Sequence, residues 1–146
     1  MVALMSNDPL DRLVKIDQLK VERFSQSEFD GLIRSGEARL DDSKRCSLNL
    51  ESRFDLAYNA SHALSLAALR WHGYRSNKRY LVFQCLRHTL DLPNELWRVM
   101  DHAHRKRNLA EYEGHLDVDE KLVDALIRVT IEVADRVRKL PGPQVE

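Results

Sequence analysis

Residues Asp55 to Arg70 read DLAYNASHALSLAALR, with no Asp, Glu, Lys or Arg between the two ends. At 1.5 Å rise per residue the interior spans about 21 Å as a helix, too short to cross a bilayer. The stretch therefore reads as the buried central helix of a soluble bundle. Ala57, Ala60, Ala63, Ala67 and Ala68 favour helix and are small enough for neighbouring helices to approach from several sides. Asp55, Asn59 and His62 follow i, i+4, i+7 spacing and share one polar stripe, with Tyr58 beside it. Buried polar groups need partners, so this stripe is either a structural hydrogen-bond network or one wall of a cleft.

Working outward, Asn49 is placed to cap this helix and Gly73 to end it in a left-handed conformation. Upstream, Ser25 and Glu28 have capping-box spacing and Phe24 and Phe29 that of a hydrophobic staple. They predict a helix to about Lys44 that presents Phe29, Leu32, Ile33, Gly36 and Leu40, with Gly31 and Gly36 as close-packing positions. Asp8 before Pro9 predicts a further helix from about Pro9 to Val21, an accessory arm.

Downstream, YLVFQCLRHTL from Tyr80 to Leu90 reads as one helix on the spacing of Val82, Leu86 and Leu90. A long helix follows from about Asn94 to Glu113, with Leu96, Val99, Met100, Ala103 and Ala110 inward and Gly114 as its stop. The last helix, about Val118 to Leu140, carries acids first and bases last and has Leu122, Leu126, Val129, Val133 and Val137 as its core face. The expected fold is all-α: an up-and-down bundle of four to five main helices over 25–140, an N-terminal helical arm over 1–24 and a flexible tail over 141–146.

The whole chain of 146 residues suits one such domain, and the 7% aromatic, five-glycine, four-proline composition fits it. Cys46 and Cys85 lack C-x-x-C spacing and no signal-peptide pattern precedes them, so free thiols and a cytoplasmic location are expected. The 23 basic and 23 acidic side chains cancel, yet Arg70 to Arg107 holds nine Lys and Arg against three acids, a surplus of +6. An anionic partner would need such a block, and a solvated helix face gives the same count. Within it, Tyr74, Arg75, Lys78, Arg79 and Tyr80 interleave aromatics with cations, either to stack bases and hold phosphates or as an exposed connector.

The remaining informative segment is HAHRKRNLAEYEGH, residues 102–115. On a helix His104, Asn108, Glu111, Tyr112 and His115 share a stripe, with Arg107 beside Glu111 and Arg105 and Lys106 adjacent. The plain alternative is a solvated face with an Arg107–Glu111 ion pair. His102 and His104, two residues apart, cannot ligate one metal from a helix, and no H-E-x-x-H, G-x-S-x-G or P-loop pattern occurs. No metal or cofactor is expected.

Arg107-Asn108 followed by Tyr112, on the helix after RFDLAYNASHALSLAALR and a GYR loop, resembles the HEPN (higher eukaryotes and prokaryotes nucleotide-binding) domains over about Ser25 to Leu140. The resemblance implies a small helical bundle, a homodimer and a cleft shared by the Arg motifs of both subunits. Many members are metal-independent endoribonucleases, often toxins paired with an antitoxin, and others only bind nucleotides or nucleic acid. The family pattern is Arg, a polar residue, then His after four to six positions; here those positions are Tyr112, Glu113 and Gly114. A phenol with pKa about 10 is a poor general base at neutral pH, which makes the expected role a degenerate module binding RNA, a nucleotide or a protein partner. In that expectation Arg107 holds a phosphate, Asn108 orients it, Tyr112 stacks or donates, and Tyr74, Arg75, Lys78, Arg79, Arg105 and Lys106 supply cationic and stacking contacts. Two alternatives stand beside it: an active ribonuclease with His104 or His115 as base, and a purely structural interaction module. A neighbouring antitoxin or nucleotidyltransferase is the expected kind of partner.

Overall fold

Helix α3 (Leu50–Trp71) is enclosed on nearly every side, with Phe54, Ala57, Ala60, Leu64, Ala67 and Ala68 fully buried. The computed structural model describes residues 8–142. In chain order these form α1 (Pro9–Lys15), β1 (Lys20–Val21), α2 (Gln26–Ser43), α3, β2 (Tyr74–Arg75), α4 (Arg79–Gln84), α5 (Leu86–Thr89), α6 (Asn94–Glu113) and α7 (Glu120–Arg138). The fold is an all-α bundle in which α3 packs against α2 and α7 and also meets α4, α5 and α6. Among the described residues no helix is long and apolar enough to cross a membrane.

Local signals position the bundle. Asn49 accepts from the Ser52 N–H at 2.9 Å, Ser25 Oγ from the Glu28 N–H at 3.3 Å, and Asp119 from the Leu122 N–H at 2.8 Å, each satisfying an orphan donor of a first helical turn. The Phe24 and Phe29 rings meet at 5.6 Å as the staple spacing predicts. Gly73 and Gly114 end α3 and α6 with φ of 90° and 81°, a region that glycine enters without a Cβ clash. Gly36 lets α2 approach α3: a Cβ there would lie 2.7 Å from Leu64 Cγ. Gly31 has no such neighbour, its nearest being the Arg34 guanidinium at 3.9 Å, so only one of the two glycines is a packing position.

Two boundaries differ from expectation. The arm helix stops at Lys15, not Val21; Asp17 turns the chain at φ 61°, and Lys20 and Val21 pair antiparallel with Arg75 and Tyr74. Aspartate tolerates that left-handed turn better than most residues, which allows the reversal. The predicted Tyr80 to Leu90 helix is interrupted at Cys85 into α4 and α5. Val82 and Cys85 face a small second cluster with Leu10, Leu19 and Leu69, whereas Phe83, Leu86 and Leu90 face the main core. In α6 Trp97, Met100 and Ala103 are buried, with Leu96 and Val99 partly buried against the same core; Trp97 is an inward anchor that the spacing does not single out, its indole N–H donating to Asn94 Oδ1 at 2.8 Å. The first residues of the predicted arm and the last four of the predicted tail lie outside the described residues.

The feature least visible beforehand is Arg70. Its guanidinium, 1% exposed at the end of α3, donates to Glu28 Oε1 at 2.7 Å, to the Glu22 carbonyl at 2.9 Å and to the Arg23 carbonyl. Arg75 joins the same carboxylates, reaching Glu22 at 3.0 Å and bonding Glu28. The capping-box glutamate is thereby recruited to tie α2, α3 and the β1–β2 pair together. Burial pushes the Glu28 carboxyl up, but the hydrogen bonds and charges of Arg70 and Arg75 outweigh it and hold the group below its ordinary value.

Candidate functional site

Three helices bring one polar cluster together around Tyr58. Helix α3 contributes Asp55, Tyr58, Asn59 and His62, α4 contributes Arg79 and Phe83, and α6 contributes His104, Arg107 and Asn108. Tyr58 is 1% exposed, its ring stacked with Phe54 at 6.1 Å and met edge-on by Phe83 at 5.9 Å. Only its hydroxyl is polar, and that hydroxyl meets His104 Nδ1 at 2.7 Å. On the other side of the imidazole, Nε2 meets the Asn108 amide nitrogen at 3.1 Å. Both ring nitrogens are therefore engaged, which fixes the ring's orientation.

Two guanidinium groups converge on the same phenol. Arg79 lies 5.3 Å and Arg107 5.0 Å from the Tyr58 ring centroid, cation–π distances. Arg79 donates to Asn59 Oδ1 at 3.2 Å, and Arg107 donates to Asp55 Oδ1 at 3.1 Å. Tyr80, 39% exposed, places its ring 6.5 Å from that of His104 at the rim.

The cluster holds its histidines neutral. Burial lowers His104, with Arg79 and Arg107 adding to the shift and Asp101 opposing it. Burial also lowers His62, helped by Arg79 and His104, to about 4. Burial raises the Tyr58 phenol, outweighing the opposing pull of Arg79 and Arg107. At neutral pH the cluster thus presents two guanidinium charges, one exposed carboxylate and uncharged rings. An imidazole held neutral beside two cations can accept a proton while the cations stabilise an anion.

The polar stripe of α3 and the Arg107-Asn108 pair thus meet in one place with His104 and Arg79. Other predicted residues do not join them. Tyr112 is 90% exposed at the end of α6, away from Tyr58, and His115 lies beyond the Gly114 stop, so the helical stripe does not extend to it. Arg107 pairs with Asp55 in place of Glu111. Tyr74 donates its hydroxyl to Asp11, which anchors the arm, and Arg75 is held by Glu22 and Glu28. Arg105 pairs with Asp101 at 2.7 Å and Lys106 with Asp117 at 3.7 Å, whereas Lys78 is exposed. Arg87 and Arg98 lie over Trp97, each at 5.9 Å. Much of the basic block is therefore matched in space by acids or aromatics, for Arg70, Arg75, Lys106 and Arg107 by acids outside the block. Arg79 and Arg107 are the pair that shares the Tyr58 ring, beside His104.

Among the described residues no group of three or more His, Cys, Asp and Glu is placed to hold a metal ion. Comparison of the chain with known protein families, curated proteins and solved structures gives no match.

Proposed function

We propose that the chain is a HEPN-like helical module that binds the phosphate of RNA or of a nucleotide at the Tyr58 cluster. The observation behind this reading is the convergence of Arg79 and Arg107 on one buried phenol, beside a neutral His104. Guanidinium groups suit phosphate because they donate in pairs, and the rings beneath keep them from collapsing into the protein. Arg107 holds the phosphate, Asn108 orients it through His104, and Arg79 takes over the role that the sequence pattern spread across the loop before it. The same reading makes the chain a cytoplasmic homodimer with the cluster facing a shared cleft, alongside an antitoxin or nucleotidyltransferase partner.

The test is incubation of purified protein with labelled single-stranded and structured RNA in chelator, scoring retention and cleavage for wild type and Arg107→Ala. Retention by wild type that the variant loses supports the binding module. Equal retention by both removes Arg107 from the site, and no retention moves the reading to a protein partner.

The environment of His104 favours a second reading, a metal-independent ribonuclease. Once the Asn108 amide swings off Nε2, the neutral imidazole held by Tyr58 has a free lone pair with which to deprotonate a ribose 2′-hydroxyl while Arg79 and Arg107 stabilise the phosphate charge. Cleavage would then rise to a plateau as His104 loses its proton below neutrality and vanish in His104→Ala. A rate that shows no fall at any pH below 6.5 contradicts it.

A further inference from the structure

The two arginines over Tyr58 are tethered to α3 by side chains one turn apart, and the tethers differ in charge. Arg79 donates to the amide oxygen of Asn59 at 3.2 Å, and Asn59 Nδ2 in turn donates to the Asp55 carbonyl at 2.9 Å. Arg107 donates to the carboxylate of Asp55 at 3.1 Å. A neutral amide leaves the Arg79 charge uncancelled, whereas a carboxylate cancels that of Arg107. Both members of the second pair are open to water, with side chains 60% exposed for Asp55 and 36% for Arg107. An ion pair this open contributes a factor of about two to five, and a phosphate offers guanidinium a stronger, bidentate acceptor.

We infer that Asp55 is a resident counter-anion: it occupies Arg107 in the free protein and is displaced by the phosphate of the incoming ligand. The inference rests on the phosphate-binding reading of the cluster. In the free state the cluster carries one uncompensated cation, Arg79, which meets the ligand first. Displacement of Asp55 then releases Arg107 as the second. Weak anions that cannot displace the carboxylate gain only the first contact, so Asp55 lowers affinity and raises discrimination.

A double-mutant cycle tests this, reading binding of a fluorescein-labelled single-stranded oligouridylate by anisotropy in chelator. Asp55→Asn is expected to tighten binding by about two- to fivefold, and the gain is expected to vanish in the Arg107→Ala background. Unchanged or weaker binding by Asp55→Asn shows that the carboxylate positions Arg107 and overturns the inference. An equal gain in the Arg107→Ala background shows a general field effect and also overturns it. Binding by Asp55→Asn where wild type shows none supports it. No binding by any variant removes both this inference and the phosphate-binding reading. Wild-type binding that Arg107→Ala loses and Asp55→Asn fails to improve removes this inference alone.

Discussion

The hydroxyl of Tyr58 and Nδ1 of His104, 46 positions apart in the chain, meet at 2.7 Å. The contact joins α3 to α6 through the one polar atom of an otherwise buried ring, so it serves packing and site geometry together. Tyr58→Phe keeps the ring and leaves one imidazole nitrogen without its partner, for an expected loss of about 1–2 kcal/mol. Tyr58→Ala also empties the space between Phe54 and Phe83 and is expected to lose about 3–5 kcal/mol. Urea denaturation of the two variants measures the difference, and equal losses would mean that the hydroxyl dominates.

Burial and the Arg79 and His104 charges lower His62 to about 4, so its folded pKa lies below its ordinary value of 6.5. Its stabilising contribution is therefore full above pH 6.5 and is lost as pH falls through that window toward 4, because the unfolded chain binds the proton first. In an NMR titration the His62 ring resonances are expected to stay unshifted from pH 8 to about 5. Titration at an ordinary midpoint would show a hydrated ring.

Arg70 serves Glu28 and the carbonyls of Glu22 and Arg23 from a side chain 1% exposed. Arg70→Met removes those donors and is expected to destabilise by about 3 kcal/mol, the low end for a broken buried pair because Glu28 retains some hydration. The lowered Glu28 carboxyl adds a pH signature. Its contribution is present above the ordinary value of 4.5 and is lost as pH falls through the lowered folded value. Urea midpoints at pH 7 and pH 3 should therefore fall less steeply in Arg70→Met than in wild type.

The two glycines of α2 should respond in opposite directions. Gly36→Ala drives a Cβ to 2.7 Å from Leu64 Cγ, and its expected loss of about 1–3 kcal/mol exceeds the gain of about 1 kcal/mol in helix propensity. Gly31→Ala meets only a flexible arginine tip at 3.9 Å and is expected to stabilise by up to about 1 kcal/mol. Thermal melts of both variants decide, and a stabilising Gly36→Ala would show that α2 can move away from α3.

What could be read in advance depended on range along the chain. Caps at Asp8, Ser25 and Asn49, the stops at Gly73 and Gly114 and the buried character of α3 follow from residues within one or two turns, and spacing captures these. Pairings across tens of positions leave no such trace. Arg70 with Glu28 and Arg107 with Asp55 are 42 and 52 positions apart, and the two-residue strands are too short for any alternation. Half of the candidate site was legible for the same reason: the Asp55–Asn59 stripe and the Arg107-Asn108 pair lie on single helices. The place of Tyr58 between them, the recruitment of Arg79 and the exposure of Tyr112 depend on how α3, α4 and α6 pack. Only the charge-free run ending abruptly at Arg70 hinted that a basic side chain was going inside.

In the proposed reading Arg79 and Arg107 form the anion site, not the basic block as a whole. The direct measurement compares the oligouridylate affinity of two double variants that remove the same charge: Arg79→Ala/Arg107→Ala and Arg105→Ala/Lys106→Ala. Arg105 and Lys106 are already paired with Asp101 and Asp117, so their loss is expected to weaken binding by less than about threefold. Loss of the cluster pair is expected to weaken it by tenfold or more, since each charge-assisted contact is worth about 1.5–3 kcal/mol. Equal losses in the two double variants would contradict the account and leave only a diffuse electrostatic attraction.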